Sequence, residues 1–265
     1  MAHVELMGII NLTPDSFSDG GQFLSVDDAL YHAETLIQDG ADCLDVGAES
    51  SRPGAVPISL KEEKQRLLPF LQQYQAHFDC PLSLDTYKSE VAELGIDYGV
   101  RWINDISGLT SDHNMLRVIQ KGKVGVIIMH MQYNPQVMQD NPSYVNLIDD
   151  VYHFFDHQIQ QSQSAGVTDI MIDPGIGFGK TVEHNLQLIN KLKQFKPLNF
   201  PILIGTSRKS FIGHITNEDV TNREEGTIAS SLYAIHNGAS MIRVHNVKSM
   251  KQALMVWEAI YHESL

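Results

Sequence analysis

The sequence predicts a (β/α)8 barrel, an α/β fold forming one domain over residues 1–265. Three observations predict it. Eight short apolar runs alternate with longer stretches of helical spacing. Glycine punctuates four of the helix-to-strand junctions. Polar side chains gather at the same end of every apolar run.

In chain order, the runs at 6–11, 43–47, 82–85, 102–106, 124–131, 170–173, 202–205 and 241–245 read as strands. Their apolar positions are nearly continuous, which suits parallel strands covered on both faces. After the first run, Val26, Ala29, Leu30, Ala33, Leu36 and Ile37 follow the i, i+3, i+4, i+7 spacing of an amphipathic helix. Leu186, Leu188, Ile189 and Leu192 repeat it less completely before the seventh. Gly40, Gly99, Gly166 and Gly238 each fall between a helical stretch and the next strand, where a left-handed residue ends a helix. No linker, charge block or low-complexity segment interrupts the alternation. An open, doubly wound sheet is the structural alternative. The barrel makes the sharper claim that the active site lies at the C-terminal ends of the strands.

Composition narrows the function classes. The chain has 265 residues, 43% of them hydrophobic, so it can build a large core. With 19 Lys+Arg and 32 Asp+Glu the formal charge is −13. Such a chain has no electrostatic footprint for nucleic acid or an anionic membrane, and any anionic ligand needs a local concentration of cations. The longest apolar run, 124–131, falls far short of the roughly 20 residues of a transmembrane helix. The start of the chain lacks the basic and apolar regions of a signal peptide. Cys43 and Cys80 have no metal-ligand spacing and read as small buried hydrophobes in a reducing compartment. A cytoplasmic location is expected.

The polar residues carry the functional argument. Asn11 ends the first run; Asp45 lies in the second and Glu49, Ser50, Ser51 and Arg52 follow it. Asp85 ends the third, Asn104 and Asp105 interrupt the fourth, His130 ends the fifth and Asp173 the sixth. Ser207, Arg208 and Lys209 follow the seventh, and Arg243 and His245 lie in the eighth. In a barrel these groups converge on one cup. Asp85, Asn104 and Asp173 suit a flat, nitrogen-rich ring, because a carboxylate accepts two parallel N–H bonds. The competing reading is buried acids paired with Lys or Arg of the barrel. Arg52, Arg208, Lys209, Arg243 and His245, with Asn11 as a neutral oxygen ligand, suit a phosphate or pyrophosphate with Mg2+. The competing reading there is a solvated basic rim.

Two stretches call for care. Gly175-Ile-Gly-Phe-Gly-Lys-Thr181 resembles a phosphate-binding P-loop, but Pro174 stands where that pattern needs its first glycine. A mobile strand-to-helix turn is expected instead. The long loops 13–23 and 48–58 carry Pro14, Gly20, Gly21, Pro53, Gly54 and Pro57, and would hang over the mouth as lids or as ordinary surface loops.

Several motifs, in order along nearly the whole chain, resemble those of the bacterial dihydropteroate synthases. They are Asn11-Leu-Thr-Pro-Asp-Ser-Phe-Ser-Asp-Gly-Gly21, Glu49-Ser-Ser-Arg-Pro-Gly54, Leu84-Asp-Thr86, Asn104-Asp-Ile106, Met129-His-Met-Gln132, Asp173-Pro-Gly-Ile-Gly-Phe-Gly-Lys180, Ser207-Arg-Lys-Ser-Phe211 and Arg243-Val-His245. The resemblance implies a pterin-binding barrel of folate synthesis. It would join 6-hydroxymethyl-7,8-dihydropterin diphosphate to p-aminobenzoate, giving 7,8-dihydropteroate and pyrophosphate. It implies that Asp85, Asn104, Asp173 and Lys209 hold the pterin, that Asn11 holds Mg2+, and that Ser51, Arg243 and His245 hold the diphosphate. Phe17, Pro53 and Ser210 would border the p-aminobenzoate pocket. Lys209, Arg243, Asp15 and Arg52 are the residues it implies for catalysis. A homodimer through outer-ring helices and inhibition by sulfonamides are implied as well.

The sequence departs from the family where Ser51 replaces the usual threonine, Ala48 a glycine and Tyr133 a glycine, the last far from the matched roles. No Ser-His-Asp arrangement contradicts a mechanism in which pyrophosphate leaves first and the aryl amine attacks second. The alternatives are a folate-to-corrinoid methyltransferase of the same barrel type and a non-catalytic pterin-binding relative.

Overall fold

The computed structural model describes residues 4–13 and 26–263. The eight expected runs form eight parallel strands: β1 (Glu5–Asn11), β2 (Cys43–Gly47), β3 (Leu82–Asp85), β4 (Trp102–Asp105), β5 (Gly125–Met129), β6 (Ile170–Asp173), β7 (Leu203–Ile204) and β8 (Met241–Val244). They lie side by side in the order β6-β5-β4-β3-β2-β1-β8-β7. A parallel bridge between Ile172 and Ile202 joins the two ends, so the sheet closes into a barrel and the open-sheet alternative falls. The runs expected at 124–131 and 202–205 are longer than the strands that form. Pro201 and Gly205 bracket β7, and beyond Met129 the chain turns, His130 N–H donating to Asp173 C=O at 2.8 Å.

The outer ring, among the described residues, is α1 (Val26–Gln38), α2 (Leu60–His77), α3 (Ser89–Asp97), α4 (Met115–Gly122), α5 (Leu147–Ser164), α6 (Val182–Asn190), α7 (Ser210–Thr216), α8 (Glu224–His236) and α9 (Val247–His262). Two of these, α7 and α8, follow β7. Ala29, Ala33 and Leu36 of α1 are buried as their spacing requires. Leu186 of α6 is exposed instead, which accounts for the weaker pattern there. The four junction glycines all have positive φ, from 77° to 106°, a region that costs a side chain energy.

The strands sort their residues by parity. One set, including Leu6, Ile10, Leu44, Val46, Leu84, Ile103, Val126, Ile128, Ile172 and Val244, packs outward against the helices in the main core. The other set points into the barrel. Its lower layer is an apolar plug of Met7, Cys43, Ile127, Met171, Leu203 and Met241, with Trp102 against it. Two residues further along, the same inward ladder reaches Asp45, Asn104, Asp173 and Arg243. In the register of neighbouring strands, Gly47 stands beside Asp85 and Asp85 beside Asn104. Cys43 is buried in the plug, as expected; Cys80 is only partly covered.

Candidate active site

The polar layer is organised by a carboxylate at its centre. Asp45, fully buried, accepts from Arg243 Nε at 2.7 Å and from Asn104 Nδ2 at 3.1 Å through the same oxygen, Oδ2. Arg243 Nη2 also reaches Asp85 Oδ2 at 3.3 Å. The competing reading of the acids, as partners of a barrel arginine, is therefore partly realised. The two ligand sets separated by the sequence reading also meet, because Arg243 sits among the acids. The network is not saturated: Asp45 Oδ1 and Asn104 Oδ1 are buried with no hydrogen-bond partner. Unmet acceptors in a buried site cost about 1–3 kcal/mol each unless a ligand satisfies them. Burial, then the Asp45 charge, push the Asp85 carboxyl above the usual carboxylate range, and Arg243 opposes them. Gly47 gives Asp85 its room, since a Cβ there would lie 3.3 Å from Asp85 Cβ.

Asp173 stands across the cup. Its Oδ1 accepts from Gly175 N–H at 2.7 Å, and burial raises its pKa to about 6 against the pull of Lys209, Arg243 and Lys180. Lys209 faces it from the seventh strand-end. Its ammonium lies 4.0 Å from the Phe178 ring centroid, and its stem passes Gly177, where a Cβ would meet Lys209 Cδ at 3.1 Å. Burial, then the Arg243 charge, lower Lys209 to about 8.

Above this floor is a cationic wall. The His245 ring is paired with Ser207 Oγ at 2.9 Å, and the same hydroxyl accepts from His245 N–H at 3.2 Å. Burial pushes His245 down to about 3, and the charges of Arg208, Arg243, Lys209 and Arg52 push the same way. Four cations thus act on one neutral imidazole, a field that favours an anion. Arg208 is held at φ 57° with its N–H on Thr227 Oγ1 at 3.0 Å. Ser210 is exposed and begins α7.

Asn11 ends β1, and Leu12 N–H donates to Gly47 C=O at 2.8 Å, placing the start of the first loop beside the second. Asp15 and Phe17 lie outside the described residues. Ser51, Arg52 and Pro53 ride on the β2–α2 loop, with Arg52 and Pro53 exposed. Gly54 N–H donates to Pro135 C=O at 2.9 Å, so this loop meets the loop after β5. Tyr133, distant in sequence, is two residues from that contact. It takes φ 65°, which explains why a glycine suits the position.

The turn after Asp173 differs from the mobile turn expected. Ile176 and Lys180 are 1% and 3% exposed. The Lys180 ammonium donates to Phe178 C=O at 2.8 Å and His130 C=O at 3.1 Å, and lies 3.1 Å from His130 Nδ1. Burial lowers it to about 7. A charge spent on backbone carbonyls explains why a P-loop-like string binds its own chain. Asp105, adjacent to Asn104, also leaves the cup. It accepts from Ser107 N–H at 2.8 Å, Ser107 Oγ at 2.6 Å and Leu109 N–H at 3.2 Å, and so builds the turn after β4. Asp45's organising role escaped the site assignments, although its inward parity with Asp85 and Asn104 was the signal that could have found it. Among the described residues, no group of three His, Cys, Asp or Glu side chains is arranged to hold a metal by itself.

This combination of fold and cup defines a class. Residues 7–245 match the family described as pterin binding enzyme. The chain is 44% identical over 259 residues to a dihydropteroate synthase of Synechocystis, covering 97% of this chain and 90% of that one. It superposes with a TM-score of 0.94 on the Yersinia pestis dihydropteroate synthase solved with a sulfonamide drug, at 39% identity and covering 98% and 95% of the two chains. With the Clostridium difficile enzyme solved in the presence of pteroic acid, the TM-score is 0.92 at 41% identity, covering 98% and 97%. The chain belongs to the pterin-binding enzymes and, within them, to the dihydropteroate synthase family.

Proposed function

We propose that this chain is a transferase of folate biosynthesis that condenses 6-hydroxymethyl-7,8-dihydropterin diphosphate with p-aminobenzoate, releasing 7,8-dihydropteroate and pyrophosphate. The observation that carries the reading is the joining, in one barrel mouth, of a floor with unmet hydrogen-bond acceptors and a wall with four cations around a neutral histidine. Pterin N–H groups suit Asp85, Asn104 and Asp173; the diphosphate suits Ser51, Arg243 and His245. Lys209, between Asp173 and the wall, serves both ends of the substrate.

In this reading the wall stabilises charge that develops on the departing pyrophosphate, so its work is electrostatic and preorganised. The pterin ring spreads the positive charge left on its exocyclic methylene. The aryl amine of p-aminobenzoate then forms the new C–N bond and loses its proton to solvent, so no side chain has to act as an essential base. Asp15, Phe17, Arg52, Pro53 and Ser210 complete the second-substrate pocket. A Mg2+ ion would take Asn11 as a protein oxygen ligand, in keeping with magnesium's habit of binding through few protein oxygens and substrate phosphate. It would supply further charge neutralisation for the leaving group.

A homodimer fits the outer ring, where α6, α7 and α8 leave a groove of about 480 Å3 lined by Leu186, Phe211 and Tyr233. Light scattering of the purified chain tests it. The cytoplasmic reading rests on free Cys43 and Cys80, which suit a reducing compartment. The decisive assay is pyrophosphate release: it should require p-aminobenzoate and Mg2+ together with the pterin diphosphate, and release without p-aminobenzoate at the full rate would overturn the reading.

A further inference from the structure

The β2–α2 loop carries Ser51, Arg52 and Pro53, and its two ends are locked by a charge cluster outside the cup. Lys88, immediately before α3, donates to Glu49 Oε2, to Glu63 Oε2 at 2.5 Å and to Ile58 C=O at 3.0 Å. Glu49 Oε2 also accepts from Ile58 N–H at 3.3 Å, and Glu49 Oε1 accepts from Tyr87 Oη. Glu63, in α2 and 1% exposed, takes Thr86 Oγ1 on its other oxygen at 2.8 Å. Arg66 Nη1 holds Ala48 C=O at 2.9 Å. Residues 48, 49 and 58 are therefore fixed to α2 and to the turn after β3. Between them, the described tethers are hydrogen bonds without a charged partner: Ala55 N–H to Arg52 C=O at 3.0 Å, Arg52 N–H to Ser50 Oγ at 3.4 Å, and Gly54 N–H to Pro135 C=O at 2.9 Å.

We infer that Lys88 is a positioning residue for the second substrate: by binding both ends of the β2–α2 loop it sets where the loop tip presents Ser51 and Pro53. The three N–H bonds of its ammonium go to acceptors at the start of the loop, at its end and in α2, so one side chain ties all three together. The inference rests on the reading that p-aminobenzoate binds beside Pro53. A few tenths of an ångström at the base become a larger displacement at the tip, and misplacement by about 1 Å can cost about a hundredfold in rate.

The test compares Lys88→Met, Lys88→Arg, the charge-balanced double variant Lys88→Met/Glu63→Gln, and Pro53→Ala in the full-length enzyme. The expected result for Lys88→Met and for the double variant is a KM for p-aminobenzoate raised about tenfold or more, with a clearly smaller loss of pterin diphosphate affinity by calorimetry, because Arg243 and His245 hold the diphosphate independently of this loop. Lys88→Arg should recover most of the loss, and hydrogen exchange at 50–57 should quicken in Lys88→Met. Folded variants with an unchanged KM for p-aminobenzoate, or with equal losses for both substrates, overturn the inference. Failure of both Met variants to fold assigns Lys88 to global stability and overturns it too. If Pro53→Ala leaves that KM unchanged, the placement of p-aminobenzoate fails; if it raises the KM while the Lys88 variants do not, only the role of Lys88 fails.

Discussion

Arg243 and Lys88 are each a cation held between two carboxylates and largely shielded from water, yet the two clusters end differently. Around Lys88 the Glu49 and Glu63 oxygens are all engaged and the ammonium spends its three bonds on protein acceptors. Around Arg243, Asp45 Oδ1 and Asn104 Oδ1 are left over, and the arginine keeps 22% of its side-chain surface open to the cup. A saturated cluster holds chain segments in place. One with valence remaining toward a cavity is prepared for a ligand. What separates scaffold from site here is the count of unmet bonds.

The largest effect that sharpens this contrast is expected from Arg243→Met. It strands Asp45 and Asp85 without their cation, so denaturant unfolding should show a loss of about 3–5 kcal/mol. Turnover of the surviving folded enzyme should fall by about 10²–10³, as for loss of a preorganised charge stabiliser. An Arg243→Met enzyme of wild-type stability and rate would erase the distinction. Asp173→Asn is next. It keeps size but exchanges an acceptor for a donor, and should weaken pterin binding by about 1–3 kcal/mol in calorimetry; undiminished affinity removes Asp173 from the pterin site.

Inhibition should be cleaner in kind than in size. A sulfonamide copies the aryl amine and polar tail of p-aminobenzoate, so steady-state inhibition should be competitive with p-aminobenzoate and strengthened by pyrophosphate. A noncompetitive pattern would detach Pro53 and Ser210 from that pocket.

The smallest effect is a pH slope that sets floor against wall. Asp173 is raised from 3.8 to about 6 in the fold, so the native state binds more protons than the unfolded chain between those values. Its contribution to stability is present at low pH and lost as pH rises through that window. His245 is lowered from 6.5 to about 3, so its neutral form favours the fold above 6.5 and that advantage is lost as pH falls toward 3. Relative to wild type, Asp173→Asn should lose stability faster on acidification from pH 6 to 4, and His245→Gln more slowly, each by up to about 1.4 kcal/mol per pH unit. Urea unfolding across that range reads both slopes.

The strands and the cup were legible in the sequence because their signal is local. A buried parallel strand is a continuous apolar run, and an inward polar residue at its end stands out against it. Direction was less legible. Asn104 and Asp105 are neighbours of similar size, yet one lines the floor and the other ties a turn, a difference of parity that needs the register of β4 with β3 and β5. The Lys88 cluster was not legible, because its partners Glu49 and Glu63 stand 39 and 25 residues away and no local pattern links them. Lys180, visible within a glycine-rich string, was misread as part of a mobile turn for the same reason: its partner His130 is 50 residues distant.

The parity of the inward ladder has a consequence for how this gene tolerates change. On β2, β3, β4, β6 and β8 the inward polar residue is one position from a residue that packs the outer core, so deleting a single codon within such a strand would exchange polar groups for apolar ones in both places at once. Such a lesion destroys activity and folding together and leaves no partially working intermediate. Insertions in the loops carry no such coupling. Changes of length are therefore accommodated in the loops, while the staves of the barrel behave as an indivisible block.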